Sequence, residues 1–165
     1  MNAISVSEWS NYLLAQAGVA ATLTGLVFVA VSINLSRIIS IAGLTGRAVE
    51  SMTQLFGVVV ITTNLLIPRQ PAVAVGTEML VVVFLLWLVQ IRIQVRYVRS
   101  KTGHPRRWIV TRMVWTHLST VPFIISGLLL LRGSDAAFYW LVPGCIFSLI
   151  SGLSSAWVLL VEILR

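Results

Sequence analysis

The sequence is poor in the residues from which most catalytic and metal sites are built. Its 165 residues include one cysteine, two histidines and five carboxylates. The sole cysteine, Cys145, excludes an internal disulfide and a metal cluster held by several thiolates of this chain. The carboxylates are spread over different segments, so no pair of them predicts general acid and base catalysis.

The histidines and the single lysine do not predict an enzyme either. His104 and His117 fall at different depths, too far apart to share a zinc ion, and Lys101 lies in a loop, where it cannot form a membrane Ser-Lys dyad. A hydrolase built from His117 with Ser126 or Ser151 is the remaining enzymatic alternative. Such side chains in apolar helices more often hold helices together. Phosphate-binding, nucleophile-elbow and dinucleotide motifs are missing, so we expect no enzyme, no cofactor and no metal.

Charge is also scarce, because only 10% of the residues are charged while 58% are hydrophobic. The apolar residues form five blocks, each about as long as the ~20 residues that cross the hydrocarbon of a bilayer. These blocks cover residues 13–35, 48–67, 72–91, 109–131 and 137–164. The fold class expected is an all-α integral membrane helical bundle of five spans, forming one domain over residues 1–165.

The distribution of basic residues predicts the orientation of this bundle. With the N-terminus outside and the C-terminus inside, ten of the twelve basic residues fall on the cytoplasmic side and only Arg69 and Arg132 outside. Cytoplasmic loops of membrane proteins are enriched in Lys and Arg, so this orientation is the one expected. We therefore predict a multi-pass membrane protein with a basic cytoplasmic loop at 92–108.

The basic loop raises the question of nucleic acid binding. Arg92, Arg96 and Arg99 are spaced four and three residues apart, so they share one face if the third helix projects beyond the membrane. Residues 91–97 also alternate like a strand, but their continuity with an apolar helix favours the helix. The aromatic residues needed to stack bases are too few. We expect these arginines, with Arg106 and Arg107, to contact anionic lipid headgroups and not nucleic acid.

Polar residues inside the spans are the candidates for a functional site, since such groups are costly in hydrocarbon. In the second span, Glu50, Gln54 and Asn64 lie on one face at helical spacing. Glu50 also lies three residues after Arg47, where an exposed ion pair is the simplest explanation. The fourth span carries His117 and Thr120. These five side chains, Glu50, Gln54, Asn64, His117 and Thr120, form either a polar path or a packing seam.

Small residues recur at helical spacing in the first and fifth spans. Such residues let helix backbones approach closely in membranes. The first span supplies Gly18 and Gly25, and the fifth supplies Gly144, Ser148, Ser151, Gly152 and Ser155. We expect both sets to be helix-packing seams, within one bundle, between copies of the chain or with another membrane protein.

Two stretches resemble a known family. The segment "ATLTGLVFVAVSINLSRI" at 21–38, followed by "GRAVESM" at 46–52, is similar to small bacterial inner-membrane proteins, some of them described as modulators of the membrane protease FtsH. The resemblance covers the first two spans, roughly a third of the chain, and carries no catalytic residue. It implies a bacterial plasma membrane location and a regulatory role.

Two functional hypotheses follow. The first is a non-enzymatic modulator or accessory subunit that associates through its helices with another membrane protein or with itself. The second is a small homo-oligomeric channel or transporter whose polar path follows the second span and His117. We favour the first, because no span shows the paired broken helices of a known conduction site.

Overall fold

The computed structural model describes residues 6–41, 43–99 and 106–164, with only the backbone described at 106–109, 163 and 164. The described chain is all-α, without strands, which confirms the predicted fold class. Its six helices are α1 (Val6–Ile33), α2 (Leu35–Ser40), α3 (Leu44–Leu65), α4 (Ala72–Arg99), α5 (Arg106–Leu131) and α6 (Ala136–Leu164). All but the short α2 are long and apolar enough to cross a membrane. The chain thus has the architecture of a multi-pass membrane protein.

The helices extend beyond the predicted spans. Helix α1 begins at Val6 instead of residue 13, and α4 continues to Arg99 instead of ending near residue 91. The arginines at 92, 96 and 99 thus belong to a helix, and the strand alternative for 91–97 is wrong. Most of the predicted basic loop, 92–108, is helical as well, because α4 continues to Arg99 and α5 begins at Arg106. Residues 100–105 lie outside the described residues.

Helix α3 is the centre of the bundle and packs against α1, α4 and α6. Its most apolar 18 residues are 56% buried, against 11% for those of α1. Its mean hydropathy over that window is also the lowest of the five long helices, 1.2 against 2.4 for α4. A polar helix in a membrane must face protein, because lipid offers its side chains no hydrogen bonds. The polar stripe of α3 therefore lies inside the bundle.

Close approach of α4 and α5 depends on two glycines. A Cβ added at Gly76 would lie 2.9 Å from the backbone nitrogen of Leu131, and one at Gly127 would lie 2.8 Å from the side chain of Leu80. At Gly76 the close atoms belong to the backbone of α5, so the crossing requires glycine there, whereas a side chain at position 127 would require Leu80 to shift.

Aromatic rings join α1 to α6 at the end where α1 begins. The ring of Trp9 stacks on Phe138 at 5.6 Å between centroids and meets Tyr139 edge-on at 5.1 Å. Elsewhere α1 contacts mainly α3. This helix therefore stands at the edge of the bundle, and one of its sides is left uncovered.

Most of the described arginines lie at one end of the molecule. Arg37 in α2, Arg47 near the start of α3, Arg92 to Arg99 at the end of α4 and Arg112 near the start of α5 lie at the end where α1 terminates. We call this the basic end. Arg69 and Arg132 lie at the opposite end, in the turns that join α3 to α4 and α5 to α6.

Candidate functional site: a buried polar network at the basic end

A buried ion pair between α3 and α5 lies near the basic end. Both Nε and Nη2 of Arg112 contact the Oε2 atom of Glu50. The Glu50 side chain is 2% exposed and that of Arg112 is 11% exposed. The expectation that the ion pair of Glu50 is exposed is therefore wrong, and the pair with Arg112 joins α3 to α5.

Helix α4 completes the surroundings of this pair. The Cζ atom of Arg112 lies 5.2 Å from the centroid of the Tyr97 ring, within cation-π distance. The Gln90 side-chain amide donates a hydrogen bond to the backbone carbonyl of Glu50, at 3.2 Å. Three helices therefore meet at one carboxylate and one guanidinium.

Hydroxyl and amide groups extend the contact between these helices. Gln94 Nε2 donates to Thr116 Oγ1 at 2.7 Å, and the Thr116 hydroxyl donates to the carbonyl of Arg112 at 3.1 Å. One turn further from the basic end, Ser119 Oγ lies 3.3 Å from Gln54 Oε1. All four side chains are buried. We call the whole set, Glu50, Gln54, Gln90, Gln94, Arg112, Thr116 and Ser119, the polar network.

The two glutamines of α4 are absent from the residues that sequence analysis selected. Gln90 and Gln94 are four residues apart and therefore share one face of the helix. Two glutamines at that spacing indicate a polar, protein-facing side of α4. The neighbouring arginines, which sequence analysis selected, lie on other faces of the helix. Both glutamines are 3% exposed, and each has an Oε1 atom with no hydrogen-bond donor among the described residues.

The α6 seam lies inside the bundle, against α3 and α5. A Cβ at Gly152 would lie 2.7 Å from the Leu55 side chain, and one at Gly144 would lie 2.8 Å from the Phe123 ring. The Ser51 hydroxyl donates to the carbonyl of Gly152 at 2.8 Å. Ser148 and Ser151 are buried, and Ser155 is half-buried. These residues therefore pack the bundle itself.

The α1 seam lies on the outside of the bundle. Gly18 and Gly25 are exposed, and a Cβ at either position would meet nothing within 4 Å. Among the described side chains, the two glycine-containing seams thus differ in kind, since one is filled by neighbouring helices and the other is open.

The proposed polar path is not assembled as one site. Glu50 and Gln54 belong to the polar network, and Thr120 lines a cavity of about 30 Å³ beside Gln54. His117 is exposed on the outer side of α5, where its Nδ1 lies 2.8 Å from the carbonyl of Met113. Asn64 lies fourteen residues from Glu50, or about 21 Å along α3.

A larger cavity of about 380 Å³ adjoins the ion pair between α3, α5 and α6. Arg47, Glu50 and Arg112 line it together with the hydroxyls of Ser151 and Ser155. The cavity offers two guanidiniums, one carboxylate and neutral donors, which suits hydrogen bonding to a polar group. Within the described part of the chain, no three of His, Cys, Asp and Glu come together in a way that would hold a metal ion.

The arginines expected to contact lipid are partly described. Arg92, Arg96 and Arg99 are exposed at the end of α4. The side chains of Arg106 and Arg107 lie outside the described residues. Comparison of the chain with protein-family models, with curated proteins and with solved structures gives no match.

Proposed function

We propose that the protein is a non-enzymatic, multi-pass protein of the bacterial plasma membrane that associates laterally with a helix of another membrane protein. Its role would be that of a modulator or accessory subunit, in keeping with the family resemblance of its first two spans. In this proposal the basic end faces the cytoplasm, as the excess of arginines favours. The observation that carries the proposal is the open small-residue side of α1.

This side of α1 points away from the bundle. Leu13, Ala20 and Val27 are buried against the other helices, and Ala20 lies two residues from both Gly18 and Thr22. Two residues correspond to about 200° around a helix, so Gly18 and Thr22 lie nearly opposite the buried side. We call the small and hydroxyl-bearing exposed residues of this side the α1 face. They are Ala15, Gly18, Thr22, Gly25 and Ser32, and the exposed Val29 lies among them.

The chemistry of the α1 face suits another helix better than lipid. Its glycines leave room for the backbone of a second helix to approach, which is the usual basis of helix pairing in membranes. The hydroxyls of Thr22 and Ser32 donate to the carbonyls of Gly18 and Phe28, each at 2.8 Å. The face therefore has no unsatisfied hydroxyl donor of its own and needs no water.

The transport alternative stays a prediction. It would require His117 to line the same path as Glu50 and Gln54. Glu50 and Gln54 contact the buried side of α5, whereas His117 is exposed on another side of that helix. Lateral association needs no such path, so it is the function that the geometry favours.

Substitutions on the α1 face test the proposal. The double variant Gly18→Leu with Gly25→Leu fills the open space and should exclude a partner helix without disturbing the bundle. Thr77→Leu is the control, because it also adds a leucine at an exposed position, but on α4 and outside the α1 face. The measurement is the composition of the tagged protein purified from its own membrane in mild detergent.

A stoichiometric second protein should accompany the wild type and Thr77→Leu, and should be lost from the double variant. The same composition in all three samples would contradict the proposal. A pure homo-oligomer that survives the double substitution would favour the transport alternative.

A further inference from the structure

A groove of about 530 Å³ opens between the first turns of α3 and the last turns of α4. Arg92 and Arg96 line it from α4, and Arg112 lines it from α5. Val49 and Val89 form its other end. We call it the α3–α4 groove. It lies on a different side of α3 from the helix that carries the α1 face.

The groove is polar at one end and apolar at the other. Along α4, Arg96 and Val89 are seven residues apart, or about 10 Å along the helix axis. Along α3, Gly43 and Val49 are separated by about 9 Å in the same direction, away from the basic end. Val49 is 40% exposed and Val89 is 39% exposed, so the apolar end is open to the bundle surroundings. A membrane lipid has the same arrangement, with a polar headgroup at one end and an apolar acyl chain at the other.

The charge of the groove is strongly positive. Three guanidiniums line it, and no carboxylate does so among the described residues. Glu50, which contacts Arg112 from the neighbouring network, compensates one of the three charges. The Nη1 atom of Arg112 is buried and has no hydrogen-bond acceptor in the described part of the chain. The beginning of α3, directly after Gly43, adds the positive end of a 22-residue helix dipole.

Glycines shape the polar end. A Cβ at Gly43 would lie 3.4 Å from the Tyr97 ring, and one at Gly46 would lie 3.2 Å from Ile93 Cγ2. Gly43 also has φ +91, a conformation that other residues rarely adopt. The beginning of α3 thus lies close against α4, and together the two helices form the wall of the groove.

We propose that the α3–α4 groove binds one glycerophospholipid of net negative charge, with its phosphate among Arg92, Arg96 and Arg112 and an acyl chain along Val49 and Val89. Basic pockets between membrane helices are the kind of site that holds anionic headgroups. A zwitterionic lipid would leave the excess positive charge uncompensated. This site is more specific than the general attraction of exposed arginines to a membrane surface, and it does not depend on the α1 face.

The test compares two pairs of arginines at the same end of the molecule. Arg92→Gln with Arg96→Gln removes two charges from the groove. Arg37→Gln with Arg99→Gln removes two exposed charges outside it and is the matched control. Native mass spectrometry of the purified protein would measure binding of phosphatidylglycerol and of phosphatidylcholine with identical acyl chains, with and without millimolar inorganic phosphate.

The wild type and the control pair should bind phosphatidylglycerol in preference to phosphatidylcholine. The groove pair should bind it about 30-fold more weakly, as expected from about 1 kcal/mol for each arginine. An equal loss of phosphatidylglycerol binding in the control pair would show that general surface charge, and not the groove, attracts the lipid. Equal binding of phosphatidylglycerol and phosphatidylcholine would show that the groove has no preference for a negatively charged lipid. Displacement of the lipid by inorganic phosphate would identify a free-anion site instead. Any of these three results would overturn the proposal.

Discussion

Arg112 connects three helices through a single side chain. Its guanidinium forms the ion pair with Glu50 of α3 and lies over the Tyr97 ring of α4. Its backbone carbonyl accepts the hydrogen bond that the Thr116 hydroxyl donates on the same helix. A buried charge is tolerated only when a partner and hydrogen bonds compensate its lost solvation. Such compensation ties the relative positions of α3, α4 and α5 to one another.

Breaking this ion pair should destabilise the bundle. Glu50→Gln or Arg112→Gln leaves a buried charge without its partner, which typically costs about 3 to 5 kcal/mol. The double variant removes both charges, so it should be more stable than the sum of the single effects predicts. Thermal unfolding in mild detergent would measure all three proteins.

Glu78→Gln is the control for this experiment. Glu78 is half-buried near the opposite end and accepts a bond of 3.2 Å from Gln70, whose amide is neutral. Its substitution should change the unfolding temperature much less. Additive losses in the Glu50 and Arg112 double variant would show that the two side chains do not interact.

Single residues also show which features can be predicted from the sequence and which cannot. The stripe of Glu50 and Gln54 predicts a protein-facing side of α3, and both side chains are buried. Helical spacing within α3, however, carries no information about which helix lies opposite. Arg112, which pairs with Glu50, comes from α5, 62 residues along the chain, so the local pattern in α3 could not identify it.

At the scale of elements, the glycines of this bundle lie in two different surroundings. Gly76 lies where α4 and α5 cross, and its missing side chain is replaced by the backbone of Leu131 and the carbonyl of Gly127. Gly25 lies in open space on α1. The same residue type at helical spacing therefore indicates a packing seam without indicating whether the partner belongs to the chain.

A matched pair of alanine substitutions separates these cases. Gly76→Ala forces a methyl group against backbone atoms and should destabilise the protein by about 1 to 3 kcal/mol. Gly25→Ala meets no atom and should leave stability unchanged or raise it by up to about 1 kcal/mol, through the better helix propensity of alanine. Unfolding curves of the two variants against the wild type would measure the difference. Equal destabilisation by both would contradict the packing described for α4 and α5.

Element boundaries follow from the sequence where apolar runs end in turns. Pro71 precedes α4 and Gly133, with φ +67, precedes α6, and both helices begin within a residue of the predicted spans. Helix α1 begins earlier than predicted and α4 ends later. A helix continues beyond the apolar run when its polar residues still find partners, as Gln94 does at Thr116.

At the scale of the whole molecule, the topology places the described arginines at the two ends unequally. With an odd number of spans, the beginning and the end of the chain lie on opposite sides of the membrane. Proposing the basic end as cytoplasmic follows from the usual bias of Lys and Arg. The orientation is a property of the complete bundle and not of any one helix.

Cysteine labelling tests this orientation. The natural Cys145 is buried, so the background should be low. In intact cells, Ser134→Cys, in the turn between α5 and α6, should react with a membrane-impermeant maleimide. Ser40→Cys, an exposed position at the basic end, should react only after the membrane is opened. The reverse pattern would invert the proposed orientation.

Lateral association through the α1 face is the central claim, and photo-cross-linking in the native membrane tests it most directly. A photoreactive amino acid would replace Thr22 on the α1 face or, in a separate sample, Thr77, which is also exposed but lies on α4. We predict a discrete cross-linked product to one membrane protein from position 22 and none from position 77. No product from position 22, or the same product from both positions, would contradict the claim.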